Sequence, residues 1–225
     1  MYIYSPKNRI IIVTGHFGSG KTNVAVNIAM QLARRGEKTT LIDFDVVNPY
    51  FRAADSKSEL ESMGVRCIIP EFANSNVDVP SLPPDIYSVF DGVGYAVFDV
   101  GGDETGAVAL GMFSAQIKTC GYDMLCVCSM YRPLTPTAED TAGLLADIEG
   151  HSRLRVTGLV NNSNVGYATD ADTLAASGEY ISRVSALTGV PLLFSATFAR
   201  GDIDTSELFV MKNVTRDIGI DIPTT

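Results

Sequence analysis

The segment Gly15-His16-Phe17-Gly18-Ser19-Gly20-Lys21-Thr22 constrains this chain more than any other. It fits G-x-x-x-x-G-K-[ST], follows a short apolar run at Ile10–Val13, and opens an amphipathic stretch from Lys21 to Arg35. In that stretch Val24, Ala25, Ile28, Ala29 and Leu32 recur at helical spacing, and Gly36 closes the end. A strand, a glycine-rich loop and a helix in that order aim backbone N–H groups at one point, at the positive end of a helix, where phosphate binds. Lys21 is placed to reach the β- and γ-phosphates, and the Thr22 hydroxyl to bind Mg²⁺. The loop therefore demands an α/β fold in which a strand feeds a helix.

Further short apolar runs lie at Leu41–Phe44, Val65–Ile69, Ala96–Val100, Met124–Cys128, Val156–Val160 and Leu192–Phe194. They are rich in Val, Ile and Phe and bounded by polar, Gly or Pro residues, as strands buried on both faces are. Helical patterns occupy Gly106–Lys118, Ala138–Glu149 and Thr173–Leu187, and Thr137 with Asp140 forms a variant capping box. This alternation predicts an α/β domain with a mostly parallel, seven- or eight-stranded sheet and helices on both faces. At 225 residues, without internal repeat or linker, the chain reads as one phosphate-binding domain over 1–225, with a core of about 9–197 and a C-terminal extension at 198–225. Glu71–Gly94 carries Pro80, Pro83 and Pro84 and only a short helix candidate at Ile86–Phe90. It is either a plain long connection or a surface loop for a partner.

Composition narrows the function classes. A hydrophobic fraction of 46% with 19% charged residues suits a packed core and excludes a disordered acidic chain. The net charge of -9 disfavours nonspecific binding to nucleic acid or to anionic lipid. No apolar run approaches the roughly 18 residues of a membrane span. Four irregularly placed cysteines make no disulfide framework, so a reducing, cytoplasmic setting is expected. Cys126 and Cys128 share one strand face, but two thiols without a second pair read as core. A cluster shared across a dimer is the other reading.

Two more strands end in carboxylates. Asp43-Phe44-Asp45 closes the second apolar run, and carboxylates at the edge of a buried sheet must be solvated, paired or turned to a ligand. That edge is where ligands bind in open α/β sheets. Val46 to Arg52 follows with groups able to clasp one. Ala96 to Asp103 is an apolar strand ending in Asp99, a Walker-B-like element in which Asp99 holds Mg²⁺ directly or through water. The following Gly101-Gly102 lets the next loop approach a γ-phosphate and change shape when it leaves.

Taken together, Gly15-x-x-Gly18-x-Gly20-Lys21-Thr22, the Asp43-Phe44-Asp45 strand end about twenty residues after Lys21, and Phe98-Asp99-x-Gly101-Gly102 resemble the deviant-Walker-A P-loop ATPases over roughly residues 9 to 197. That group includes MinD and ParA, the nitrogenase iron protein, the arsenite-pump ATPase and the accessory ATPase that matures carbon monoxide dehydrogenase. The resemblance implies that Gly15, His16, Gly18, Ser19, Gly20, Lys21, Thr22 and Asn23 hold ATP. It implies catalytic roles for Lys21 and for Asp45, which orients or deprotonates the attacking water. Asp43 joins Thr22 and Asp99 around Mg²⁺, and the Gly102 N–H senses the γ-phosphate. The segment Gly158 to Ser163 is similar to the iron protein's base-recognition segment, with Asn162, or else Asn161, at the adenine edge. No Asn-Lys-x-Asp guanine motif is present, which favours ATP over GTP.

One departure stands out. The family's signature lysine follows the first glycine of the loop, and here that position is His16, followed by Phe17. His16 either donates to a phosphate, which would favour its charged form, or packs against the loop. Arg52 is a further candidate cation. The end of the chain, Arg216 to Thr225, has an alternating apolar pattern and little cationic face, unlike the membrane-docking helix of MinD. The expectation is a slow ATPase acting as a nucleotide-driven switch on a partner protein, with a nucleotide-dependent homodimer admitted and no nucleic-acid or membrane partner. The alternative is a small-molecule kinase or ATP-dependent ligase related to dethiobiotin synthetase, with Glu71–Gly94 and Tyr131-Arg132 lining a substrate pocket. The intact Asp43, Asp45 and Asp99 argue against a non-hydrolysing sensor.

Overall fold

The computed structural model describes residues 2–45, 53–69, 84–132, 135–164, 169–198 and 204–214. Its strands are β1 (Ile10–Thr14), β2 (Thr39–Phe44), β3 (Arg66–Ile68), β4 (Tyr95–Val100), β5 (Tyr122–Cys128), β6 (Gly158–Asn161), β7 (Leu192–Phe198) and β8 (Phe209–Met211). All pair in parallel in an eight-stranded sheet of order β3-β2-β4-β1-β5-β6-β7-β8. The described helices are α1 (Lys21–Arg34), α2 (Ala53–Ser62), α3 (Ser88–Asp91), α4 (Glu104–Gly111), α5 (Ser114–Cys120), α6 (Ala138–Ser152) and α7 (Ala171–Thr188). The chain is thus the α/β domain its apolar runs predict, with the sheet wholly parallel.

Strand composition explains the layers. Alternate residues of a strand face opposite sides. Ile10 and Ile12 enter one core with Ile42, Phe44, Phe98 and Met124, while Ile11 and Val13 enter the other with Val24, Ile28, Leu41 and Val97. Both faces of β1 are therefore dry, and its five residues are all buried. Strand β1 lies between β4 and β5, where the strand order turns: β2, β3 and β4 flank it on one side and β5 to β8 on the other. Connections leaving neighbouring strands in opposite directions open a crevice at their carboxyl ends.

The structure departs from the sequence reading in a few places. Gly106–Lys118 is not one helix. The chain turns at Met112-Phe113, and Phe113 drops into an aromatic cluster with Phe44 (5.9 Å between ring centroids) and Phe90 (5.8 Å). Helix α2 and strand β8 carry no pattern strong enough to announce them: α2 reads AADSKSELES, and β8 is three residues long. The capping box on α6 forms, with the Thr137 hydroxyl accepting from Asp140 N–H and the Asp140 carboxylate accepting from Thr137 N–H. Ile86–Phe90 becomes a 3-10 turn at Pro84–Tyr87 that runs into α3. Val46–Arg52, residues 71–83 and Arg216–Thr225 lie outside the described residues, and with them Arg52.

Cys126 and Cys128 both pack in the first core, and the interaction with Cys126, then burial, pushes the Cys128 thiol well above its ordinary range. Among the described residues no group of three or more His, Cys, Asp or Glu is placed to hold a metal, and no helix is long and apolar enough to cross a membrane.

Candidate nucleotide-binding site

The loop after β1 is built by close backbone approach. Gly15 has φ +138°, and a Cβ there would sit 2.3 Å from the Val127 carbonyl of β5, so the first loop position requires glycine. Ser19 N–H donates to His16 O (3.0 Å), folding the loop back before Gly20 caps α1. Lys21 is buried, and its ammonium reaches back across the loop to His16 O (3.4 Å). The Asn162 amide, just past β6, donates to Ser19 O (2.7 Å), and its Oδ1 accepts from Asn164 (2.7 Å). The loop is thus braced from a third strand. The first turn of α1 leaves its N–H groups without helical partners, aimed at the site.

Beneath the loop lie the carboxylates. Asp43 and Asp99 are register partners on β2 and β4, and both are buried. Thr22 Oγ1 donates to Asp99 Oδ2 (2.7 Å), while Asp99 Oδ1 has no hydrogen-bond partner among the described residues. Burial pushes Asp99 up to about 6, against the pull of Lys21 and of the Thr22 hydrogen bond. Burial, and next the charge of Asp99, pushes Asp43 up to about 8, although Asp43 Oδ1 accepts from Asp45 N–H (3.1 Å). Two desolvated carboxylates side by side, one oxygen orphaned, form a site that a cation would stabilise. The donor set suits Mg²⁺, which takes one or two carboxylates and completes its shell with phosphate oxygens and water, so a cage of protein ligands is not needed.

The loop after β4 closes the third side. A Cβ on Gly102 would sit 2.2 Å from Gly15 O and 2.8 Å from the His16 carbonyl carbon and Phe17 N, so the backbone of Gly102 lies directly on the phosphate-loop backbone. At Gly101 the nearest atom to a Cβ would be Asp45 Oδ1 (3.1 Å). The Asp45 carboxylate therefore rests against the same loop. Asp103 caps α4 through Gly106 N–H (2.9 Å), which fixes where that helix starts.

The structure brings together nearly all the residues singled out by sequence. Gly15, Gly18, Ser19, Gly20, Lys21 and Thr22 form the loop, and Asp43, Asp45, Asp99 and Gly102 converge on it. Some side chains turn elsewhere. His16 Nδ1–H donates to its neighbour's carbonyl, Phe17 O (2.8 Å). Asn23 Oδ1 accepts from Val214 N–H (2.9 Å), so its side chain holds the segment after β8. Asn27 completes that clasp, accepting from Lys212 N–H (2.8 Å) and donating to Lys212 O (2.8 Å). Asn161 is buried against Ser177 Oγ (3.0 Å), in the packing of β6 on α7. Sequence reasoning missed the Asn27 clasp, since its partner lies far along the chain, and placed Arg132 only in a substrate pocket. Its guanidinium lies beside Gly18, with Nε 3.4 Å from where a Cβ would stand.

The family model for the CobQ/CobB/MinD/ParA nucleotide-binding domain matches residues 10–191. The chain belongs to that family. The match spans the chain from the Gly15 loop past Asn162 and stops before β7. No curated protein sequence matches the chain. Among solved structures it is similar to the signal recognition particle receptor FtsY of Elizabethkingia anophelis, at 18% identity and TM-score 0.52, covering 86% of this chain and 60% of that one. The cell division protein FtsY of Thermotoga maritima gives 16%, 0.53, 88% and 64%, and chloroplast FtsY of Physcomitrella patens 14%, 0.56, 86% and 60%. The chain spans less than two thirds of these proteins' length, and at such identity the likeness shows the fold alone.

Proposed function

We propose that this nucleotide-binding domain is an Mg²⁺-dependent ATPase that works as a switch on a partner protein. The observation that carries the reading is the stacking of three layers at one point. The Thr22 hydroxyl bonds Asp99, Gly102 lies on the loop backbone, and Asp45 rests on Gly101. Both segments that would move therefore meet at the loop that would hold the phosphates.

In this reading the loop amides and Lys21 hold the phosphates, and Thr22, Asp43 and Asp99 would hold Mg²⁺, which would offset the negative charge of the phosphates. Asp45 orients a water and accepts its proton as the water oxygen bonds the γ-phosphorus. The bond from that phosphorus to the bridging oxygen breaks, leaving ADP and phosphate. Lys21 offsets charge as it develops on the oxygens. Loss of the γ-phosphate frees Gly102 and Asp45 together, which is the switch. ATP is favoured over GTP because the sequence carries no Asn-Lys-x-Asp guanine-reading motif.

The test is turnover of ATP and of GTP by the purified chain, with Mg²⁺ and with EDTA. Slow Mg²⁺-dependent ATP hydrolysis is expected, abolished in Lys21→Ala and strongly reduced in Asp45→Ala. Solution mass with ADP and with a non-hydrolysable ATP analogue reports nucleotide-dependent self-association. Turnover that requires a metabolite and yields a phosphorylated or ligated product would replace the switch with a kinase or ligase.

A further inference from the structure

Arg132 stands on a pinned turn over the phosphate loop. The segment leaves β5 at Cys128, and its fixings surround the arginine on both sides. Met130 N–H donates to Ser163 Oγ (3.1 Å), Thr135 N–H donates to Arg132 O (3.1 Å), and the buried Thr135 hydroxyl donates to Ser129 O (3.3 Å). Tyr180 OH adds a bond to Thr135 O (3.5 Å). The backbone that presents Arg132 is therefore held by β6 and α7, while the side chain itself is exposed. Its Nε, Cζ and Cδ lie 3.4, 3.5 and 3.6 Å from the position a Cβ would take on Gly18. Among the described residues its guanidinium makes no ion pair and no hydrogen bond.

We propose that Arg132 is a phosphate-contacting residue of the nucleotide site, donating its planar fork to the terminal phosphate of a bound nucleoside triphosphate. The inference rests on the reading of the loop as a triphosphate site. Charge supports it. A triphosphate adds its own negative charge to a pocket that already holds Asp43, Asp45 and Asp99, and the loop contributes Lys21 as its one buried cation. His16, the other basic group on the loop, is bonded to the loop's own backbone at Phe17 O. A guanidinium keeps its charge in such a setting and presents paired donors to phosphate oxygens, which an ammonium does not. A Cβ at Gly18 would stand in ordinary van der Waals contact with the guanidinium, so the fork lies directly against the loop backbone. Hydrogen bonds on both sides of an exposed cation also place a donor with little reorganisation.

The experiment compares Arg132→Ala and Arg132→Lys with the natural chain, using ADP and the β,γ-imido analogues of ATP and GTP, each with Mg²⁺, by direct binding. Turnover and melting temperature are followed beside it. Arg132→Ala is expected to weaken both triphosphate analogues by about tenfold or more while ADP affinity stays within about threefold, because only the terminal phosphate loses its partner. Turnover at saturation should fall by about 10²-fold, with partial recovery in Arg132→Lys. Unchanged triphosphate affinity and turnover in Arg132→Ala would overturn the proposal. So would an equal loss of ADP and triphosphate accompanied by a lower melting temperature, which marks a structural role. If the natural chain binds the analogues but hydrolyses none, the ATPase reading fails while the binding arm still decides Arg132.

Discussion

Gly102 is where the structure makes its sharpest demand. Its φ does not lie in the left-handed region, so alanine adds no backbone strain, and the whole effect of Gly102→Ala is steric. The new Cβ would begin 2.2 Å from Gly15 O and 2.8 Å from two further loop backbone atoms, whereas real Cβ atoms keep 3.0 Å or more. The two loops must therefore part by roughly 0.8 Å, and neither neighbour is the free end of a flexible side chain. Overpacking of this kind costs about 1–3 kcal/mol, which in a chain of 225 residues lowers the melting temperature by roughly 3–9 °C. Displacement of catalytic groups by about 1 Å costs on the order of 10²-fold in rate. The assay pairs thermal unfolding with nucleotide binding and single-turnover hydrolysis on the folded protein. The expected result is a moderate loss of stability with a much larger loss of turnover. Turnover and affinity within about threefold of the natural chain would refute the idea that Gly102 must lie on the phosphate loop for the chemistry to run.

Two further outcomes follow from the site. Asp43 and Asp99 are raised to about 8 and about 6 from 3.8, so between roughly pH 4 and 8 the folded chain binds more protons than the unfolded one, and their contribution to stability falls as pH rises through that window. In Mg²⁺-free buffer, Asp43→Asn should gain melting temperature over the natural chain as pH goes from about 5 to about 8, while losing Mg²⁺-dependent turnover; parallel pH profiles would contradict the raised carboxylates. Asn162→Ala removes the 2.7 Å bond to Ser19 O and should weaken adenine and guanine nucleotides alike, by about tenfold; a loss confined to one base would show that Asn162 reads the base edge.

How much of this was legible in the sequence depends on whether the deciding force is local. The phosphate loop, α1 and the carboxylate strand ends carry their own signals. A glycine needed at φ +138°, an apolar run dry on both faces, or an Asp closing a strand is specified within a few residues. Strand β8 is specified by nothing of that kind. It forms because Asn27, on α1, offers both its amide ends to the backbone of Lys212, and Asn23 takes Val214 N–H, contacts 185 and 191 residues apart in the chain. The break between α4 and α5 has the same origin: Phe113 gains more from Phe44 and Phe90 than one continuous helix would supply.

The side chains at the site divide along the same line. Those whose role is set by loop geometry, such as Lys21 and Thr22, stand where the motif places them. Those whose role depends on a distant partner do not announce it. Asn23 follows the motif in sequence yet spends its side chain on the C-terminal segment, whereas Arg132 lies more than a hundred residues away and reaches Gly18. The parallel sheet explains why. It gathers the carboxyl ends of β1, β2, β4, β5 and β6 at one edge, so any residue just past one of those strands becomes a neighbour of the phosphate loop whatever its position in the chain. Candidate ligand contacts in such a fold are therefore best sought by strand end: Asn162 past β6 is marked by its own segment, whereas Arg132 past β5 reads from sequence only as lining a substrate pocket.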